Sequence, residues 1–205
     1  MKIISFSGVD GSGKSTQLSK LQTKLQEEGK KVYYFHAIEF SLANKIARFF
    51  KGEKEFQPGQ DKAIINASWL SVHMRQKFLL LDMLRFRCLR SRLRKEGYDY
   101  LLSDRFFYDS IINIEFLTDT VRLGRCSLRP GRLFLTHVMP RADKVFLFDI
   151  EPDTILSRDR IPEQGRDYIE KKAELYQKHA DEWNMQIINA NRDKESIFRE
   201  VISKM

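Results

Sequence analysis

A chain of 205 residues, 31% charged and 42% hydrophobic, has room for one domain with a sizeable core, whereas two full domains would be cramped. No apolar run approaches the ~20 residues of a membrane span, and "MKIISFSGVDGSGK" is too short in apolar residues for a secretory h-region, so a cytoplasmic enzyme or binding protein without a membrane partner is expected. The net charge of +8 favours anionic partners such as nucleic acid or phosphorylated small molecules.

The first predicted element is the apolar run "KIISFSG", a strand. It leads into Gly8-Val9-Asp10-Gly11-Ser12-Gly13-Lys14-Ser15, which matches G-x-x-x-x-G-K-[ST] in the context the pattern requires, after a strand and at the opening of an amphipathic helix. In such a loop the glycines let backbone N–H groups turn in around phosphate oxygens, and the helix N-terminus adds its positive dipole end. Lys14 reaches the β- and γ-phosphates, and the Ser15 hydroxyl is a Mg2+ ligand. The candidate nucleotide-binding loop therefore runs from Gly8 to Thr16 and calls for a nucleoside triphosphate such as ATP. The helix spans Lys14 to about Glu28, with Leu18, Leu21 and Leu25 on one face, and Gly29 ends it.

"KVYYFHA" is a second strand, and residues 41 to 51 and about 61 to 96 are helix-like, the latter read as two helices. Within "RFRCLRSRLRK", Arg87, Arg90 and Arg94 share one solvated arc at helical spacing, opposite Phe78, Leu89 and Leu93, which argues against a nucleic-acid stripe. Arg85 projects on the apolar side, where a charge needs a partner or a ligand. Cys88 and Cys126 lack metal or redox spacing and are expected to be buried, inert thiols.

"DYLLSD" is a third strand. It ends in Asp104-Arg105, and residues 106 to 117 follow as a helix. Asp104 at this strand end suits a Walker-B carboxylate, holding Mg2+ directly or through water, while the planar fork of Arg105 suits a second phosphate. The alternatives are a structural ion pair here and Asp149, ending "VFLFD", as the metal carboxylate. "LFLTHVM" reads as a short helix, "DKVFLFDI" as the clearest buried strand, and "EPDTILSRDR" opens another helix. "SRDRIPEQGRD" carries Arg158, Arg160 and Arg166 among Pro162 and Gly165, which marks a lid-like segment over residues 157–167; an ordinary basic loop is the alternative. "GRDYIEKKAELYQKHADEW" is an amphipathic helix, "MQIINA" a fifth strand, and residues 194 to 204 a closing helix.

Strand–helix alternation without repeats or linkers predicts a single α/β domain over 1–205. It would be a three-layer P-loop NTPase fold, with a parallel five-stranded sheet covered by helices on both faces and ligands bound at the strands' carboxyl ends.

The chain resembles the thymidylate kinase family of nucleoside monophosphate kinases in "FSGVDGSGKSTQ", "LLLDMLR", "LLSDRF", "ADKVFLFDIEPDTILSR" and "INANRD", which together span most of its length. The resemblance implies that Asp10 contacts the acceptor's sugar, Arg85 its base or pocket, and Arg105 its monophosphate, while Asp104 serves the metal. It places the loop from Asn189 to Arg192, with Asn191, near the adenine of ATP. Because the P-loop carries no arginine, it leaves the catalytic arginine to the lid, among Arg158, Arg160 and Arg166. It also implies a homodimer. Three departures fall on the acceptor side: "HAIEFSLAN" replaces an Arg-Glu-Pro-Gly-Gly stretch, Leu81 stands where an aromatic stacks on thymine, and Asp109 replaces a serine. Tyr108 and Phe78 are the candidate substitutes for stacking, with a core role the alternative for each. The expected activity is ATP- and Mg2+-dependent phosphorylation of a nucleoside monophosphate, dTMP first. A kinase of a nucleoside or other small metabolite and a non-catalytic nucleotide-binding regulator are the alternatives.

Overall fold

The computed structural model describes residues 1–51, 69–120, 138–157 and 165–205. Five strands form one sheet: β1 (Lys2–Gly8), β2 (Val32–His36), β3 (Tyr100–Asp104), β4 (Lys144–Asp149) and β5 (Gln186–Asn189). Their order is β2-β3-β1-β4-β5 and every pairing is parallel. The crossover segments carry α1 (Lys14–Glu27), α2 (Ala37–Phe40), α3 (Leu42–Lys51), α4 (Trp69–Lys95), α5 (Phe107–Thr120), α6 (Pro152–Leu156), α7 (Arg166–Ala180) and α8 (Lys194–Ser203). β1 is buried from Ile3 onward and Leu101 to Asp104 of β3 are buried too, as expected of strands covered on both faces.

Because the strands are parallel, their carboxyl ends share one edge. Phe6 of β1 stands beside Asp104 of β3, and Gly8 beside Phe148 of β4. The glycine-rich loop after β1, the Asp-Arg pair after β3 and the turn after β5 are therefore brought to the same edge by topology alone.

The predicted elements appear with small changes. Among the described residues α4 is one continuous helix, not two, because its buried line of Val72, Gln76, Leu79, Met83, Phe86 and Leu93 keeps helical spacing throughout. The short α2 inside "HAIEFSLAN" was not anticipated; four residues are too few to show a period. Cys88 is exposed rather than buried, since it shares the outward face of α4 with Leu84 and Leu81. Cys126, most of "LFLTHVM" and residues 61–68 of the predicted helix lie outside the described residues. No helix among those described is long and apolar enough to cross a membrane.

The helices α5 and α7 are locked together by a buried polar cluster. His179 Nε2 bonds Glu115 at 2.8 Å, its Nδ1 bonds Glu182 at 2.9 Å, and its ring stacks on Trp183 at 4.5 Å. Carboxylates on both ring nitrogens require both to donate, so the imidazolium is the favoured form. The Glu115 hydrogen bond, outweighing burial, raises the His179 pKa above its ordinary 6.5. A raised value means this stabilisation is complete below about pH 6.5 and is lost as pH rises through the folded-state value. The urea midpoint should accordingly fall on going from pH 6 to 9, and His179→Gln should flatten that part of the profile.

Candidate functional site

The loop after β1 is built from backbone that side chains cannot enter. Gly8 has φ 136°, and a Cβ there would stand 2.7 Å from the Phe148 carbonyl oxygen. Gly13, at φ 90°, occupies the N-cap of α1 and offers no side-chain cap, so the first-turn N–H groups face outward for an anion. Lys14 is buried and folds back over the loop, donating to Val9 O at 2.7 Å and Ser12 Oγ at 3.1 Å. Burial lowers its pKa from the ordinary lysine value, against the opposing fields of Asp104 and Asp109. Thr16 follows in the first turn of α1.

Ser15 meets Asp104 across the strand edge: its hydroxyl donates to Asp104 Oδ2 at 2.6 Å. The Tyr34 hydroxyl lies 3.5 Å from the same oxygen, and burial followed by the Asp104 charge pushes its pKa upward. Asp149 takes no part in this contact. Its carbonyl accepts Ala190 N at 2.7 Å, which closes β5 onto β4.

Arg105 is buried, ion-paired with Asp10 of the glycine-rich loop, and held at φ 63°. A left-handed arginine costs roughly 1–3 kcal/mol and survives only where neighbours over-determine it. Here its N–H donates to Phe6 O at 3.0 Å and its carbonyl accepts the Ser103 hydroxyl. The result turns the guanidinium from the end of β3 toward the loop after β1.

Asp109 explains one departure from the family pattern. It is buried in the first turn of α5, where Oδ2 accepts Ser7 Oγ and Phe106 N, each at 2.8 Å, and Oδ1 accepts the Tyr176 hydroxyl at 2.6 Å. Burial, then the Asp109 charge, drives the Tyr176 pKa well above its ordinary value. One carboxylate thereby joins β1, α5 and α7.

The residues expected on the acceptor side are more dispersed. Arg85 donates to Asp82 at 2.5 Å and to Phe40 O at 3.0 Å, with its guanidinium 4.3 Å above the Phe40 ring. Asp82 in turn accepts Leu42 N at 3.0 Å, so this half-exposed arginine bolts α4 to α2 and α3. Tyr108 departs from the expected stacking role. It is packed in the core against Phe106 and Trp183, and its hydroxyl accepts Ala142 N at 3.3 Å. Leu81 is half exposed on α4. A hollow between α2, α3, α4 and α5 is lined by Ser41, Asn44, Arg75, Leu79, Ser110 and Asn113.

Of the arginines expected in the lid, Arg158 and Arg160 lie outside the described residues, as does most of the segment. Arg166 opens α7 and is tied at the surface to Asp153 at 2.5 Å and Glu170 at 2.6 Å. Asn191 accepts Glu151 N at 3.0 Å and Arg192 pairs with Glu200, which shapes the turn after β5 at the same sheet edge.

No family model matches the chain. It is similar along nearly its whole length to curated thymidylate kinases: 27% identical to that of Thermosipho melanesiensis over 97% of this chain and 94% of the relative, and 28% identical to that of Thermosipho africanus over 98% and 95%. A probable thymidylate kinase of Methanocaldococcus jannaschii is 24% identical over 97% and 93%. These near-full-length relatives support membership of the thymidylate kinase family. The thymidylate kinase structure from Candida albicans, at 16% identity, covers 99% of this chain and 90% of its own with a TM-score of 0.66, and shares the P-loop NTPase fold.

Two results should follow from this geometry. Gly8→Ala should cost roughly 1–3 kcal/mol of stability through backbone strain. Tyr176→Phe should cost about 1.5–3 kcal/mol by unpairing one oxygen of Asp109. Both are readable in urea denaturation.

Proposed function

We propose that this family member transfers the γ-phosphoryl of ATP to a nucleoside monophosphate, dTMP being the first acceptor to test. The observation that carries the reading is the meeting of the glycine-rich loop with the Asp-Arg pair: Ser15 on Asp104 at 2.6 Å, and Asp10 on Arg105 one residue further on. The names of the relatives support the acceptor.

In this reading the residues from Gly8 to Thr16 hold the donor phosphates, and Lys14 leaves its contacts on Val9 and Ser12 for the β- and γ-oxygens. Ser15 and Asp104 fit Mg2+, a hard ion that takes one or two protein oxygens and completes its shell with phosphate and water. Bound there, the ion neutralises charge on the donor's phosphates. Arg105 grips the acceptor monophosphate once Asp10 releases it for the sugar. Arg85, held by Phe40 O, is assigned to the acceptor side, and Asn191, which accepts Glu151 N, and Arg192 are assigned to the adenine side. The catalytic arginine belongs to the lid over 157–167, among Arg158, Arg160 and Arg166. Phosphoryl transfer asks for alignment and positive charge rather than covalent help, which suits this set. A homodimer is part of the reading, supported by the exposed apolar row Leu70, Met74, Leu81 and Leu84 on α4.

One observation favours an acceptor base other than thymine. The hollow beside α5 sets Asn44, Arg75, Ser110 and Asn113 among aliphatic residues and has no aromatic ring in its lining to stack on a base.

ADP release with Mg-ATP across a panel of nucleoside monophosphates and free nucleosides tests both readings. Turnover should be confined to monophosphates, and Arg105→Met should raise the acceptor KM by about 10- to 100-fold or more, the cost of a lost charge-assisted pair. A chain that releases no ADP with any monophosphate is not this kinase.

A further inference from the structure

Helix α7 carries a line of three side chains at i, i+4 and i+8: Tyr168, Lys172 and Tyr176. Tyr176 is accounted for by Asp109. The other two have no such account. Lys172 is only 3% exposed, yet among the described residues its ammonium has no hydrogen bond and no ion pair. Its one contact of note is the face of the Tyr168 ring, 4.8 Å from the ammonium. Tyr168 is 4% exposed, and its hydroxyl is buried without a hydrogen-bond partner among the described residues.

The charges that reach Lys172 are those of the reaction site: Arg105 first, then Asp109, then Lys14. The one carboxylate in that set is already committed, with both oxygens taken by Ser7, Phe106 N and Tyr176. Arg105 also reaches Tyr168. Burial and the two neighbouring cations hold the Lys172 ammonium well below the ordinary lysine value, as expected of a cation with no counter-charge among the described residues. A core lysine on an aromatic face is the structural alternative. However, one ring does not replace the hydration an ammonium loses, and it leaves the phenol unpaired.

We propose that Lys172 and the Tyr168 hydroxyl are ligands of the acceptor's phosphate, closing the seat of Arg105 from the side of α7. A phosphate dianion supplies what both groups lack, an acceptor for the phenol and for the ammonium and charge to offset Arg105 and Lys172 together. The acceptor's phosphate is favoured because Tyr176, one turn on from Lys172, bonds Asp109 at 2.6 Å, and Asp109 also takes the N–H of Phe106, the residue directly after Arg105, which sets this face of α7 beside the Arg105 backbone. The assignment rests on the kinase reading above and deepens it.

The test is Lys172→Met, which keeps length and packing while removing the charge, with Tyr168→Phe and Lys172→Arg alongside. Lys172→Met should raise the KM for the nucleoside monophosphate by about 10- to 100-fold and leave that for ATP within about twofold. Lys172→Arg should recover part of the loss, and Tyr168→Phe should raise the same KM by a smaller factor. The thermal midpoint of Lys172→Met should equal or exceed that of wild type, since the ammonium has no partner to lose. An unchanged acceptor KM overturns the proposal, and so does a variant that fails to fold, because Lys172 would then serve the core. Inorganic phosphate added over saturating ADP separates this outcome from failure of the kinase reading. If no monophosphate is turned over but phosphate raises the midpoint of wild type and not of Lys172→Met, the site stands and the activity falls. Equal shifts in both proteins overturn the site.

Discussion

The Asp109 carboxylate is the constraint on which the rest of this site depends. A buried carboxylate is tolerated only when its lone pairs are met, and here the donors come from three elements remote in sequence: Ser7 in β1, Phe106 N at the start of α5, and Tyr176 in α7. Ser7 directly precedes the glycine-rich loop, Phe106 directly follows the Asp-Arg pair, and Tyr176 lies on α7. Those three bonds fix the glycine-rich loop, the Asp-Arg pair and α7 relative to one another. Removing any one of them would both loosen the site and leave a charge poorly paired in the interior.

Above that anchor, the site is arranged as reciprocal contacts between the ends of neighbouring strands. Ser15 and Asp104 satisfy one another, as do Asp10 and Arg105, and Lys14 turns back on its own loop. Each group proposed to act on phosphate or metal thus has an internal stand-in, which lets polar side chains sit at a buried edge without an unmet charge. Among the described residues Lys172 and Tyr168 depart from this rule, and for that reason they are proposed as ligands of an outside anion.

Much of this was legible in the sequence where local chemistry leaves little choice. The glycine-rich motif, its flanking strand and helix, and the carboxylate ending "DYLLSD" were readable because strand periodicity and loop geometry constrain adjacent residues. Arg85 was singled out correctly as a charge on an apolar face that needs a partner, but the partner, Asp82 one turn away, was not foreseen. For Tyr108 stacking and core stayed open, because an aromatic after an Asp-Arg pair looks the same in sequence whether it faces ligand or core, and the packing against Trp183 answers for the core. Asp109 registered only as a departure, since its donors lie 67 and 102 positions away. Lys172 carried the same signal as Arg85, a cation at helical spacing between two buried tyrosines, and could have been found by the same argument.

The ion pair between Asp10 and Arg105 also bears on discrimination among small anions. Any anion approaching Arg105 must displace a tethered carboxylate held at high effective concentration by the glycine-rich loop. A monovalent ion such as chloride or acetate replaces one negative charge with another of equal size and gains little, whereas a phosphate monoester dianion brings a second charge and a third oxygen. The loop thus supplies its own competitor, and occupancy of the arginine becomes a matter of valence rather than of abundance.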